Sequence, residues 1–69
     1  MMIRIKAERV MKGLTQEQFA KEMKVATYTA QKWEYGQTNI PCSVICRLAD
    51  FFGCSVDWLL GRSERRNIL

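Results

Sequence analysis

The chain has 69 residues, 48% of them apolar and 26% charged, and 11 Lys and Arg against 7 Asp and Glu leave a formal charge of +4. Such a length holds one domain at most, without room for a substrate cleft between domains, and below about 70–80 residues only a small core is buried, so economical helix packing, a staple or a partner must stabilise it. Three cysteines and no histidine exclude a complete disulfide framework and argue against a four-ligand zinc site, as expected of a reducing, cytoplasmic compartment.

No apolar run approaches the roughly 18 residues of a membrane span, and MMIRIKAER places charges where a signal peptide would be apolar. A single proline and the lack of sustained alternation predict an all-α fold of five short helices. In the first, Ile3, Ala7, Val10 and Leu14 fall at helical spacing as the inner stripe, with Arg4, Lys6, Glu8, Arg9 and Lys12 on other faces, and Gly13 stops it. Leu14-Thr15-Gln16-Glu17-Gln18-Phe19 is a start signal for helix 2 at Gln16: Thr15 caps, Gln18 closes a capping box and Leu14 staples onto Phe19. Phe19, Ala20 and Met23 form the inner side of that helix.

Helix 3, Thr27 to Tyr35, divides into an apolar face of Ala26, Ala30 and Trp33 and a polar face of Thr27, Tyr28, Gln31, Lys32 and Tyr35. A plain solvated face is dominated by Glu and Lys; a face of Thr, Tyr, Gln and Lys points to hydrogen bonding with a partner. Gly36 ends it. Pro41 sits at or just before the first turn of helix 4, whose buried stripe is Ile45, Leu48, Ala49 and Phe52, flanked by Val44 and Phe51, and Gly53 closes it. Ser55 caps helix 5, Asp57 favours its positive end, and Cys54 can staple onto Leu59. The domain is expected over residues 1–61, and 62–69 as a basic tail that frays.

Leu14-Thr15-Gln16-Glu17-Gln18-Phe19-Ala20, Val25, Trp33-Glu34-Tyr35-Gly36, Pro41, Leu48-Ala49 and Ser55-Val56-Asp57-Trp58-Leu59-Leu60-Gly61 together resemble the Cro/CI-type helix-turn-helix family of phage repressors, also called the xenobiotic response element family. The likeness covers roughly residues 3–61. It implies a compact five-helix, lambda-repressor-like domain in which helices 2 and 3 form the helix-turn-helix. Helix 3 would lie in the DNA major groove, a docking geometry described for this family in general.

Position by position, the resemblance makes Thr27, Tyr28 and Lys32, with Gln31 adjacent, the base readers, and each has suitable chemistry. Phosphate contacts are expected from Gln16 at the start of helix 2 and from Thr29, Tyr35, Gln37, Thr38 and Asn39. Three positions depart from the family pattern. Lys24 stands where Gly is usual, so the turn is either left-handed with a side chain or different. Ala26 replaces the usual Ser or Thr cap, leaving Thr27 either to cap helix 3 or to read a base. No Arg or Lys stands near Cys42, which suggests weaker phosphate binding. Arg9 and Glu34 occupy the places of a partly buried structural ion pair.

Cys42, Cys46 and Cys54 are read as small buried fillers in preference to a metal or redox site, and no metal, cofactor or small-molecule ligand is expected. An enzyme lacks parts: there is no histidine, no catalytic carboxylate pair and no Gly-rich phosphate loop. The predicted function is that of a sequence-specific transcriptional regulator, a repressor, binding duplex DNA as a homodimer that pairs through helix 5 and its flanks, including Trp58, Gly61 and Arg62. The alternative is a protein-interaction module, such as an antitoxin or phage accessory factor, on the same fold.

Overall fold

The computed structural model describes residues 3–36 and 39–67. Five helices follow one another: α1 (Ile5–Met11), α2 (Gln16–Met23), α3 (Thr27–Tyr35), α4 (Cys42–Phe52) and α5 (Val56–Leu59). There is no strand among the described residues.

The core gathers around Phe19 of α2, which is fully buried together with Ile5, Leu48 and Leu59. Its ring meets Trp33 of α3 edge-on at 6.3 Å and stacks on Phe52 of α4 at 5.6 Å. One side chain thus joins three helices, and aromatic pairs in these geometries contribute beyond the area they bury. The α4 stripe of Ile45, Leu48, Ala49 and Phe52 is buried, with Val44 and Phe51 packed beside it. Because α4 lacks a capping side chain at its start, Pro41 serves by conformation alone, in an extended geometry and with no N–H to leave unpaired.

The first helix corrects its predicted stripe. Ile5, Glu8 and Arg9 face inward, whereas Ala7 is exposed and Val10 is 58% exposed. Ile3 and Leu14 do pack against the core, but they lie before and after the helix, and not on its stripe. Spacing at 5, 8 and 9 is as helical as 3, 7 and 10, but two of its three residues are charged. They are tolerated because each finds an opposite charge from a distant segment. Arg9 pairs with Glu34 of α3, and Glu8 pairs with Arg66, both at 2.7 Å.

Arg66 also corrects the expectation of a frayed tail, through Asn67. Its guanidinium donates to both Glu8 carboxylate oxygens and to the Phe52 and Gly53 carbonyls at the end of α4. The α4 helix has no basic residue in its own last turn, so the tail supplies the cation that its exposed carbonyls and negative dipole end favour. The backbone is tied down as well: Ser55 N–H donates to the Arg66 carbonyl at 2.7 Å and the Ser55 hydroxyl to the Arg65 carbonyl at 3.1 Å.

Trp58, expected at a dimer interface, is half-buried and committed within the chain. Its indole N–H donates to Glu8 Oε2 at 2.9 Å, and the Arg4 guanidinium lies 3.8 Å from its ring centroid. Of the cysteines only Cys54 is a buried filler; Cys42 and Cys46 are exposed, because α4 buries the 45/48/49/52 stripe and both fall outside it.

Candidate nucleic-acid interface

Thr15 begins the helix-turn-helix. Its hydroxyl accepts from Gln18 N–H at 3.1 Å, and Gln18 Oε1 accepts from Thr15 N–H at 2.9 Å, completing the capping box that starts α2 at Gln16. The helix ends in a left-handed residue, Lys24, with φ 59° and ψ 44°. Of the two turns open to a lysine, the chain takes the left-handed one, accepting a conformation that costs a side-chain-bearing residue roughly 1–2 kcal/mol. Lys24 N–H donates to the Lys21 carbonyl and Val25 N–H to the Ala20 carbonyl, so the strained turn satisfies two of the last four carbonyls of α2.

Ala26, in extended conformation, is the N-cap of α3, and no side chain caps that helix. Thr27 is therefore its first helical residue, and the capping alternative drops out. Ala30 and Trp33 are buried and hold α3 to the core, so the opposite side of the helix faces out. On it Tyr28 is 65% and Tyr35 62% exposed, while Gln31 and Lys32, like Thr27 and Thr29 at its two edges, are half-buried. Lys32 Nζ lies 4.7 Å from the Tyr28 ring centroid, a cation–π contact one helical turn apart. The single carboxylate of α3, Glu34, is buried and paired. The outward face accordingly presents a cation and neutral donors, with no free negative charge to repel a polyanion.

Behind this face runs a polar chain. Arg9 Nε donates to Glu34 Oε2 at 2.7 Å, and its Nη1 to the Leu14 carbonyl at 2.7 Å. Glu34 Oε1 accepts from the Gln16 side-chain amide at 3.3 Å, and the Gln16 side-chain oxygen accepts from the Gln31 amide at 3.1 Å. The buried ion pair thus orients Gln16, and Gln16 in turn orients Gln31. Among the described residues Gln31 has no other partner for its carbonyl oxygen and second N–H, an acceptor and a donor side by side.

Among the residues singled out in the sequence, Thr27, Tyr28, Gln31, Lys32, Thr29 and Tyr35 lie on one helix, and Gln16 is joined to it by hydrogen bonding. Asn39 is exposed beyond α3, while Gln37 and Thr38 lie outside the described residues. The Tyr28–Lys32 contact had a sequence signal, their separation of four. The Gln16–Gln31 bond had none, since fifteen positions and a turn separate them.

Residues 5–59 match the model of the helix-turn-helix family, a DNA-binding family, and that span holds α1 to α5. With the match covering well over half the chain, and with a capped α2 packed on an α3 whose outer face is polar, this protein belongs to the Cro/CI-type helix-turn-helix family of DNA-binding regulators.

Proposed function

We propose that the chain is a cytoplasmic transcriptional repressor that reads duplex DNA by placing α3 in the major groove. The observation that carries this reading is the outward face of α3, where Thr27, Tyr28, Gln31 and Lys32 stand together with no free carboxylate among them. Lysine suits guanine O6 and N7, glutamine suits adenine N6 and N7, and threonine suits either a base edge or a thymine methyl. Gln31's free acceptor and donor fit an adenine edge. Gln16, Thr29, Tyr35, Gln37, Thr38 and Asn39 are assigned to phosphates, where neutral donors set register without reading sequence.

Two copies acting together follow from size, since one small module makes few base contacts. Trp58 is occupied within the chain, so pairing falls to the flank of α5 at Gly61 and Arg62 on half-sites about one helical turn apart. Selection of bound sequences from random duplex DNA, followed by sedimentation of the complex, tests both parts. A two-fold symmetric consensus carrying two chains supports the reading; no enrichment, or one chain per site, overturns it.

A protein-interaction role draws on a different observation, the exposure of Val10 and Met11 on the outer side of α1. Salt-sensitive binding to duplex DNA discriminates the two, because phosphate neutralisation releases counterions and an apolar patch does not.

A further inference from the structure

We propose that Cys42 and Cys46 form a dithiol site that takes one soft, thiophilic centre between their two sulfurs, either a monovalent d10 cation such as Cu(I) or a trivalent arsenical. Both thiols are free and exposed, and both line one groove of about 630 Å3 with Ile40, Ile45, Val56 and Leu60. They stand four residues apart within the α4 helix, on the same side and one above the other.

That spacing decides the chemistry. Side chains at this separation have Cβ atoms about 5–6 Å apart, whereas a disulfide needs about 3.5–4.5 Å, so an intact α4 disfavours a direct S–S bond. An interposed atom closes the gap, because metal–sulfur bonds of roughly 2.3 Å on each side span the distance between two sulfurs in this arrangement. Soft thiolate ligands favour Cu(I), zinc and iron–sulfur clusters, and of these Cu(I) is the one suited to two donors alone. Tetrahedral zinc would require more donors, and no group of three or more His, Cys, Asp or Glu side chains is placed to hold a metal among the described residues. The apolar wall beside the thiols would receive the organic substituent of an arsenical. Cys54 is excluded: it is buried in the core, and burial pushes its thiol pKa up.

Both reactions balance without a change in oxidation state. Cu(I) displaces one proton from each thiol and forms two Cu–S bonds. Phenylarsine oxide, the organoarsenical probe, forms two As–S bonds while its oxygen leaves as water with the two thiol protons. The test uses the full chain, reduced, oxygen-free and without DNA, so that its outcome is independent of the DNA-binding reading. Intact mass after phenylarsine oxide should show one adduct per chain that resists glutathione and is reversed by a dithiol. A Cu(I) titration against bicinchoninate forms the second arm. Cys42→Ser and Cys46→Ser should each abolish tight 1:1 binding, while Cys54→Ala retains it. Binding by either probe supports the site and identifies its ligand. Serine variants that bind like the parent, or no tight 1:1 binding by either probe, an adduct removed by glutathione counting as none, would overturn it.

Discussion

Gln31 donates its side-chain amide to the Gln16 side-chain oxygen at 3.1 Å, while Gln16 donates to Glu34, so the residue assigned to a base and the residue assigned to a phosphate are one hydrogen-bonded unit. Independent roles would make their losses additive; a shared bond does not. The Gln16→Ala variant should lose affinity for all sequences and also relax preference at the position read by Gln31. A double-mutant cycle with Gln31→Ala on the best site should give a coupling of about 0.5–1.5 kcal/mol, the value of one such bond. Additive losses in titrations would show that the bond does not persist on DNA.

Arg9 and Glu34 meet with the Glu34 side chain fully buried and the Arg9 side chain 10% exposed. Removing either one strands a buried charge, so Arg9→Ala or Glu34→Ala should destabilise by roughly 3–5 kcal/mol. Replacing both by apolar residues of similar volume should recover much of the loss. Urea unfolding of the four proteins measures it, and effects within about 1 kcal/mol would mean an exposed pair.

Arg66 is anchored to Glu8 and to two carbonyls of the α4 terminus, but its side chain is 37% exposed. The expected cost of Arg66→Ala therefore lies below that of a fully buried partner, at roughly 1–3 kcal/mol. A chain ending at Gly61 should lose at least as much, since it also gives up the bonds from Ser55. Thermal unfolding of the two variants distinguishes a clasp from a dispensable tail, for which both would melt like the parent.

The Arg66 hydrogen bond holds the Glu8 carboxyl below its ordinary range, with the Trp58 indole and the Arg66 charge assisting and burial opposing. A lowered folded-state pKa means that the unfolded chain takes up the proton more readily. The stabilisation is then complete above the ordinary glutamate value of about 4.3 and is lost as pH falls through the lower folded value. Glu8→Gln should be less stable than the parent at neutral pH, yet its stability should fall less steeply below about pH 4.3. Denaturant midpoints between neutral and acid pH compare the slopes; parallel curves would remove Glu8 from acid unfolding.

Lys32 and Gln31 are the proposed base readers, so Ala at either should change the preferred base at one position and weaken the best site by roughly 1–3 kcal/mol. Asn39→Ala, at a proposed phosphate position, should weaken every sequence alike and leave the salt slope near its original value, because no charge is lost. Titration against single-base operator variants at two salt concentrations separates the two patterns. Their exchange would place α3 outside the groove.

Local signals were strong enough to locate α2 and its cap, the ends of α3 and α4 and the apolar stripe of α4, since each depends on residues within a turn or two of one another. The polar face of α3 was legible for the same reason: its residues share a face by helical period alone. Distance along the chain is what hid the rest. The inward direction of α1 depended on Glu34 and Arg66, which lie 25 and 58 residues from their partners and make buried charges tolerable. The order in the tail rests on carbonyls left open by the end of α4. Lys24's left-handed backbone, one of two possibilities in the sequence, was settled by the need to close α2 against α3. Helical period and capping chemistry determine where these helices begin and end, whereas the neutralising partner of each buried charge comes from another part of the fold.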